Sequence, residues 1–478
     1  MSPRWHNHAG NQTCNPREIV KPGSLEELVQ LVQRAEREGT TVRACGARHA
    51  WSDAALTDGY MILPDRLGGV VDLDDGTLRQ PAAELPLARV LGGTPIHELN
   101  DELDRRGQAL PQMGGYDAQT IAGVVSTATH GSGLRWGPFP DFVRSLDLVI
   151  AGGEVVRVEP VGGITNPGKF ASVFGDTRRL IQDDDTFAAA VCGVGCMGVV
   201  HALVIEVREK FWLKEVRRLS TWEETRETLT FDGVLGEGDH YELFVNPYPR
   251  DDGKHNLLIT RRADTQDPGG EPEDRTRRHP LEEFEASLPI TGIVLRFLAR
   301  HLPSLMIRRF DDVLDNMQDD GYVSVSYKVF NIGEANHLPA VSMELCVGLE
   351  ENRHLEAVDR MLAIAAEQRE RHRRYHTSPI SLRFTRASPA FASMMYHRDS
   401  MIMELILVTG SRGGNELLKA HEDGLAEFGV RPHWGQINYL TEEKVRRSYP
   451  RWDDWLRVQR ELGSSGVFDS PFTRRVGI

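Results

Sequence analysis

The sequence lacks the features that place most proteins in or beyond a membrane. No run of eighteen apolar residues occurs in it, so it contains no candidate transmembrane helix. Residues 1–14 are polar and have no apolar core of the kind found in signal peptides. The five cysteines are odd in number and widely scattered, which argues against a disulfide framework. These absences favour a cytoplasmic protein.

Positive charge is also scarce. Lysine and arginine number 56 against 70 aspartates and glutamates, a formal net charge of −14. Such a chain has no electrostatic footprint for phosphate backbones or anionic lipid, so neither nucleic acid nor a membrane surface is expected as a partner. Cys192 and Cys196 lack a second Cys/His pair at ligand spacing, so no metal site is predicted. Glycine is abundant, with 45 residues, which indicates backbone bent closely around something.

The N-terminal part reads as mixed helix and strand. A capping pattern at Ser24 opens a helix that Gly39 ends, and a strand follows over residues 41–44. A second helix is predicted from a Thr94 cap to about residue 106. Residues 145–158 predict a hairpin with a two-glycine turn.

The pattern changes near residue 208. Residues 262–280 are polar and rich in proline and glycine, which is typical of a mobile loop. Strand patterns over 322–330 and 342–349 alternate with a long helix over about 355–373. This mixture predicts an α+β domain in which helices face a sheet.

Residues 193–198 match the G-x-G-x-x-G pattern of dinucleotide-binding folds. That site requires a helix to open directly after the glycines, so that its N–H groups meet the pyrophosphate. Here an alternating, β-branched segment follows over 199–207 and predicts a strand. We therefore do not interpret the motif as a Rossmann site, although a glycine turn of this kind can still contact a ligand through its backbone.

Two further segments combine glycine with polar groups. The loop at 46–49 follows a strand, and small residues in such a loop can direct successive N–H groups at a phosphate. Residues 117–133 are nearly uncharged and rich in hydroxyl groups and small side chains. Together they suit a large polar cofactor. The alternatives are that His49 is a surface or packing residue and that 117–133 is a tightly packed, partly buried loop.

These motifs resemble the flavin-binding half of the vanillyl-alcohol-oxidase (p-cresol methylhydroxylase) family, and most closely its aldonolactone and alditol oxidase branch. The likeness covers nearly the full length and is strongest over 17–207 and 430–478. The stretches that carry it are 43–52, 119–123, 126–133, 7–11 (with His8 where tryptophan is usual), 431–435, 449–451, 466–468 and 475–476.

The resemblance implies an α+β fold with three parts. Residues 1–207 would form a PCMH-type FAD-binding domain of two α+β subdomains. Residues 208–429 would form a substrate cap domain with an antiparallel sheet flanked by helices. Residues 430–478 would return to the flavin site.

The resemblance also implies FAD as the cofactor, attached covalently through His49. A covalent link would raise the flavin's potential and prevent its loss. The other positions that match the family's cofactor contacts are Cys45, Gly46, Ala47, Arg48, Ser52, Gly115, Thr120, Ile121, Ala122, Gly123, Ser126, Thr129, His130, Gly131, Gly198, Val199 and Val200.

The branch usually carries Glu-x-Arg on a cap strand and a lysine after His-Trp-Gly. This sequence retains the arginine as Arg383, but has Ser381 for the glutamate and Gln436 for the lysine. A neutral glutamine cannot hold positive charge beside a developing anion. His433 is a candidate for acid/base work, with packing on the flavin wall as the alternative. Glu344 stands where the branch often has glutamate, in a functional or a strand-end structural role.

The implied activity is oxidation of an alcohol group on a sugar, polyol or lactone, with hydride passing to FAD and electrons to dioxygen, giving hydrogen peroxide. Small residues at Gly114 and Gly115, about where the family sets oxygen access, favour the oxidase. The alternatives are a dehydrogenase that uses another electron acceptor, an enzyme for a bulkier or modified alcohol, and a non-catalytic flavin-binding protein.

Overall fold

A computed structural model describes residues 3–73, 75–79, 85–230, 233, 235, 240–269, 280, 292–332 and 340–478. None of the helices in these ranges has the length and apolarity that a bilayer crossing requires. The strands are β1 Trp5–His6, β2 Thr13–Cys14, β3 Glu18–Val20, β4 Val42–Ala44, β5 Tyr60–Ile62, β6 Val70–Val71, β7 Leu87–Leu91, β8 Gln108–Ala109, β9 Val143–Val149, β10 Val155–Glu159, β11 Arg179–Gln182, β12 Val199–Glu206, β13 Arg208–Glu209, β14 Trp212–Thr221, β15 His240–Val245, β16 Asn256–Thr265, β17 Asp319–Val325, β18 Ala340–Gly348, β19 Ile380–Thr385, β20 Ser400–Val408 and β21 Arg431–Pro432.

The same ranges contain helices of very different length, from single turns to one of 20 residues. They are α1 Leu25–Arg37, α2 Ile96–Arg105, α3 Ile121–Ser126, α4 Pro167–Phe174, α5 Asp184–Ala190, α6 Trp222–Arg226, α7 Gly292–His301, α8 Pro303–Met306, α9 Phe310–Asn316, α10 Ser326–Phe330, α11 Arg353–His372, α12 Gly414–Gly424, α13 Glu442–Ser448, α14 Trp452–Leu462 and α15 Pro471–Val476.

The N-terminal part contains a small parallel sheet in the order β3-β5-β4 and a larger sheet in the order β11-β10-β9-β12-β7-β6. Helix α1 begins as predicted at Ser24, whose hydroxyl accepts the N–H of Glu27 at 3.2 Å. Its apolar face packs in one cluster with Val42 and Tyr60 of the small sheet and Val149 of the larger one, so α1 joins the two sheets. The predicted hairpin is confirmed, because β9 and β10 pair antiparallel around the turn at 151–153.

The predicted cap of α2 is wrong. The helix starts at Ile96 after Pro95, and Thr94 does not cap it. The Thr94 hydroxyl instead donates to the carbonyl oxygen of Leu91 at 2.6 Å and accepts the N–H of Gly69 at 2.9 Å. The side chain therefore closes the turn that precedes the helix.

Strands that lie between residues 212 and 432 build an antiparallel sheet in the order β17-β14-β16-β15-β19-β20-β18-β21. Odd- and even-numbered residues of its strands point to opposite faces. One face of the central strands is apolar and packs against α11 and α12 in a single core cluster. The other face carries charged side chains in its central strands and lines the cavity described below. Helix α11 and strand β18 confirm two predicted elements.

Two other predictions in this part need correction. The predicted strand over 322–330 is wrong in its second half, because β17 ends at Val325 and α10 begins at Ser326. The helical turn brings Val329 and Phe330 together into the core beside Phe211, which an extended chain would place on opposite sides. Of the predicted loop at 262–280, residues 262–265 belong to β16, while residues 270–279 lie outside the described ranges.

The last segment of the chain packs back against the first. The N–H of Val42 donates to the carbonyl oxygen of Val467 at 2.7 Å, and Arg43, 2% exposed, donates to the carbonyl oxygen of Phe468 at 3.4 Å. Arg475 forms a two-pronged ion pair with Asp53, at 3.0 and 2.6 Å. Residues more than 400 positions apart thus share one core.

Candidate flavin and active site

A large cavity lies between the N-terminal sheets and the charged face of the antiparallel sheet. It encloses about 2020 Å³, its open mouth included. Both glycine-bearing loops and the charged sheet face contribute to its wall. The lining includes these residues singled out from the sequence: Cys45, Gly46, Ala47, Arg48, His49, Gly115, Thr120, Ala122, Gly123, Ser126, Thr129, His130, Gly198, Val199, Val200, Glu344, Arg383, His433 and Gln436.

Four residues singled out from the sequence lie outside this lining. The Ser52 hydroxyl donates to the carbonyl oxygen of Trp434 at 2.7 Å, so it is already engaged. Ile121 is fully buried in the core, and Gly131 packs against the side chain of Gln112. Ser381 is fully buried on β19, where it stands directly opposite Glu404 of β20.

The first loop fits tightly against the second. Cys45 closes β4 by donating its N–H to the carbonyl oxygen of Ile62 at 2.8 Å, which sends the chain from Gly46 onward into the cavity wall. A Cβ atom on Gly46 would clash with the hydroxyl oxygen of Thr120. Thr120 in turn caps α3 by accepting the N–H of Gly123 at 3.4 Å. Only a glycine at position 46 lets the two loops approach this closely.

The G-x-G-x-x-G segment forms a turn that leads straight into β12, as its sequence predicts. Arg43 stabilises the turn by donating hydrogen bonds to the carbonyl oxygens of Val194 at 2.7 Å and Gly195 at 2.9 Å. Gly195 and Gly198 then present backbone to the cavity. The motif is therefore part of the wall without being a helix-based phosphate site.

His49 reaches the cavity from the first loop, next to Arg48, whose φ is +64°. Its imidazole stacks on the ring of His8, with ring centres 5.2 Å apart and planes 22° from parallel. Burial, reinforced by His8 and the Arg48 guanidinium, lowers the pKa of His49 to about 4. The ring is therefore neutral at pH 7 and keeps a nitrogen lone pair.

Arg383 projects from β19 into the cavity and is held from behind by Glu242 of β15. Arg383 Nε donates to Glu242 Oε1 at 2.8 Å, and Arg262 Nη2 donates to Glu242 Oε2 at 2.9 Å. Burial alone would raise the pKa of Glu242, but the two guanidinium groups lower it to about 2. Burial likewise opposes the charge on Arg383, yet Glu404 and Glu242 raise its pKa above the ordinary value. The arginine is a fixed positive charge.

Two imidazoles face the carboxylate of Glu344. Nε2 of His130 lies 3.6 Å and Nε2 of His433 lies 4.0 Å from Glu344 Oε2. The N–H of Gly435 donates to His433 Nδ1 at 3.0 Å, so the neutral His433 ring carries its proton on Nε2. Burial, with His130, lowers the pKa of His433 to about 4. Burial would raise the pKa of Glu344, but His130, His433 and Arg383 outweigh it and lower that pKa to about 2.

Comparison with known protein families shows which family this chain belongs to. Residues 16–159 match the FAD binding domain family, and residues 203–476 match the D-arabinono-1,4-lactone oxidase family. The second match covers more than half of the chain. The protein belongs to the D-arabinono-1,4-lactone oxidase family.

Individual relatives agree with this membership. The chain is 31% identical over 478 residues to the L-gulono-1,4-lactone dehydrogenase of Mycobacterium tuberculosis strain H37Rv, covering 100% of this chain and 99% of the relative. It is 24% identical to the L-gulonolactone oxidase of Mus musculus, covering 99% and 98%. Among solved structures, a solvent-stable cholesterol oxidase superposes with a TM-score of 0.77 at 16% identity, covering 100% and 98%. That superposition and the helix-flanked antiparallel sheet confirm the predicted fold class.

This member of the lactone oxidase family is an FAD-dependent oxidoreductase that acts on CH–OH groups. The cavity fits such a cofactor. Gln436 lines it, and the buried Oε1 of this side chain has no hydrogen-bond partner among the described residues. Buried polar atoms of this kind are costly unless a ligand supplies their partners. Gly46 and Gly198 also line it, and a Cβ atom on either would clash with the protein itself, at Thr120 and Val149 respectively, so these glycines fix the shape of the cavity wall.

The sequence motifs did not point to Glu404 and His8 in the cavity wall, or to Glu242 behind Arg383. Glu404 and Glu242 are isolated acids in otherwise apolar strands, and that isolation was the signal that could have drawn attention to them. His8 lay in a stretch compared with the family, but its stacking on His49 brings together residues 41 positions apart. No local pattern encodes that contact.

Proposed function

We propose that this protein oxidises a secondary or primary hydroxyl group of a sugar lactone or polyol to a carbonyl, with FAD bound covalently through His49. The observation that carries the proposal is the convergence, in one cavity, of the two flavin-type loops with Arg383, Glu344, His433 and Gln436. The relatives named for gulonolactone support the lactone class. A cytoplasmic location and the division at 207 and 429 are part of the same proposal.

The cofactor would lie along the loop at 45–49, helix α3 and the start of β12. FAD supplies the electron sink that accepts a hydride from the substrate carbon. The neutral imidazole of His49 offers a nucleophilic nitrogen for the covalent link. Glycines at 46 and 198 let these segments pack closely on Thr120 and Val149, which sets the wall against which the ring system would lie.

The substrate would bind against the charged sheet face. Arg383, fixed by Glu242, stabilises negative charge that develops on the substrate oxygen, which is the role that preorganised cations play most effectively in a dry site. The Nε2–H of His433 and the Oε1 of Gln436 offer a donor and an acceptor for further hydroxyl groups. A substrate with several hydroxyl groups satisfies more of these atoms than a simple alcohol does.

We further propose dioxygen as the electron acceptor, with hydrogen peroxide as the product. Gly114 and Gly115 support this, because both line the cavity and neither adds a side chain to its wall. The second candidate is a dehydrogenase with another acceptor, favoured by the activity in the name of the mycobacterial relative.

A visible spectrum of the purified protein tests the proposal. The protein is expected to be yellow, to bleach anaerobically with a lactone or polyol from a panel that includes L-gulono-1,4-lactone, and to recover its colour in air with release of peroxide. Bleaching that persists in air favours the dehydrogenase. A protein that no alcohol of the panel bleaches is a flavin-binding protein without this activity.

A further inference from the structure

A row of alternating buried charges crosses the antiparallel sheet and ends at the cavity. Arg262 joins Glu215 at 2.7 Å to Glu242 at 2.9 Å. Arg383 continues the row by joining Glu242 at 2.8 Å to Glu404 at 3.2 Å. Each of these side chains is at most 9% exposed. Glu404 is the last residue of this row and lines the cavity.

Glu404 differs from Glu242 in how its oxygens are used. Both carboxylate oxygens of Glu242 accept a hydrogen bond from an arginine. In Glu404, Oε1 accepts a long bond of 3.3 Å from the Ser342 hydroxyl, and Oε2 has the ion-pair contact to Arg383 without hydrogen-bond geometry. Glu404 lines the cavity, and its buried Oε2 accepts no hydrogen bond from the described residues while it lies 3.2 Å from a guanidinium nitrogen.

The strand register sets Glu404 against a second carboxylate. Glu344 of β18 and Glu404 of β20 are direct cross-strand partners on the cavity face. Like charges in that position repel, and two carboxyl groups that share a site have their pKa values pushed apart. Glu344 has two imidazoles beside it and stays ionised. Burial, with Glu344 and Glu242, raises the pKa of Glu404 to about 7 in spite of Arg383.

His433 and Glu344 are weaker candidate bases of this cavity. The pKa of His433 is lowered to about 4 and that of Glu344 to about 2, so neither holds a transferred proton well at neutral pH. Gln436 cannot accept a proton. A general base is most effective when its pKa lies near the working pH, which favours Glu404 over His433 and Glu344.

We propose that Glu404 is the catalytic base that accepts the proton of the substrate hydroxyl. The substrate O–H bond breaks and a new O–H bond forms at Glu404 Oε2. The carbon–oxygen double bond forms as the C–H bond breaks, and its hydride, with the electron pair, passes to FAD. Arg383, beside the same oxygen, stabilises the charge that appears on the substrate during the transfer. This role rests on the proposed alcohol oxidation.

The charged and titratable groups that face Glu404 come from each element around it. These groups set the pH at which Glu404 is expected to ionise, because each of them either repels or attracts its carboxylate. They are Arg383 of β19, Glu242 of β15, Glu344 of β18, and His130 of the second glycine loop.

The test compares the flavoprotein as purified with Glu404→Gln and Glu404→Asp. Flavin reduction by the best alcohol of the panel is followed anaerobically by stopped flow across pH 5 to 9. The wild-type rate is expected to rise with pH through about 7, because the carboxylate must be ionised to accept the proton. Glu404→Gln is expected to lose this limb and about 10²–10⁴-fold in rate, and Glu404→Asp to retain the limb at a lower rate.

A second readout needs no turnover. Infrared difference spectra between pH 5 and 9 should show, in the wild type, a protonated carboxyl band that titrates near neutrality and is absent in Glu404→Gln. The control is Glu422→Gln, which removes another buried carboxylate, one paired with Lys444 at 2.6 Å. This variant is expected to keep the wild-type rate, pH profile and infrared band.

The outcomes separate the two proposals. A wild-type flavin that no alcohol reduces overturns the proposed function and this role with it. A Glu404→Gln protein that holds flavin normally and is reduced at the wild-type rate with the same pH profile overturns only the role of Glu404. The same holds if the titrating infrared band persists in Glu404→Gln.

Discussion

At the scale of single residues, the fixed charge of Arg383 is the feature most directly open to test. We predict that Arg383→Met slows flavin reduction by an alcohol by at least about 10²-fold, as expected when a preorganised stabiliser of the transition state is lost. Arg383→Lys should recover part of the rate, because it restores the charge but not the two-sided contact with Glu242 and Glu404. Single-turnover stopped flow measures both. An unchanged rate in Arg383→Met would remove the residue from the chemistry.

His49 gives a prediction about the cofactor. His49→Ala should release its flavin into the supernatant on acid precipitation, whereas the wild-type pellet should stay yellow. Because the pKa of His49 is lowered to about 4, the imidazole is unprotonated above that value, and attachment should not slow between pH 8 and pH 6. His6→Ala, a change to an exposed ring near the same loop, is the control and should behave as the wild type. A yellow pellet from His49→Ala would refute the attachment site.

The sequence predicted these two residues because each sits in a local motif that resembles a family pattern. Glu404 and Glu242 belong to no such motif. Their place beside Arg383 depends on the register of β15, β19 and β20, and a slip by one residue would turn each side chain to the opposite face. Ser381 illustrates the same limit. The sequence showed a missing glutamate at that position, and the register places another glutamate directly across from it.

At the scale of elements, the contact between the two glycine-bearing loops is the decisive one. We predict that Gly46→Ala lowers the amount of flavin bound, because its methyl group would clash with the Thr120 hydroxyl and push the loops apart. Thr120→Ala alone should remove only the N-cap of α3, which lowers the free energy of unfolding by about 1 kcal/mol. Flavin content per chain, from absorbance ratios, measures the effect.

The double variant tests the stated cause. Gly46→Ala with Thr120→Ala should hold more flavin than Gly46→Ala alone, since the clashing oxygen is gone. Equal loss in the single and double variants would show that the loop fails for another reason.

Elements whose sequence shows one clear hydrophobic periodicity could be predicted. Helix α11 and the hairpin of β9 and β10 carry strong patterns and formed as expected. The segment after Val325 was not, because Ser326–Phe330 is rich in strand-forming residues. Its helical turn is decided by the core around Phe211, which local sequence does not contain. Tertiary packing overrode propensity there.

At the scale of the whole molecule, a buried acid links the two large sheets. Asp141, just before β9, accepts the hydroxyl of Ser388, just beyond β19, at 2.6 Å. Burial raises the pKa of Asp141 to about 7. Its folded pKa thus lies above its unfolded one, so its neutral form favours the folded state at low pH. That contribution is fully present below the unfolded pKa of about 4 and is lost as pH rises from there through about 7.

We therefore predict that Asp141→Asn raises the melting temperature relative to the wild type at pH 8, and raises it less at pH 5. The amide oxygen of asparagine can still accept the Ser388 hydroxyl. Calorimetric scans at the two pH values measure the difference. A variant less stable than the wild type at pH 8 would contradict the raised pKa.

The core shared by Val42, Val467 and Phe468 has a consequence for synthesis. The ribosome adds Val42 to the growing chain more than 400 peptide bonds before it adds Phe468. This core therefore stays incomplete until residues 467 and 468 have been made, and contacts so distant along the chain form slowly. The small sheet that leads into the loop at 45–49 lacks this support during synthesis, so a nascent chain stalled before residue 467 should emerge without colour.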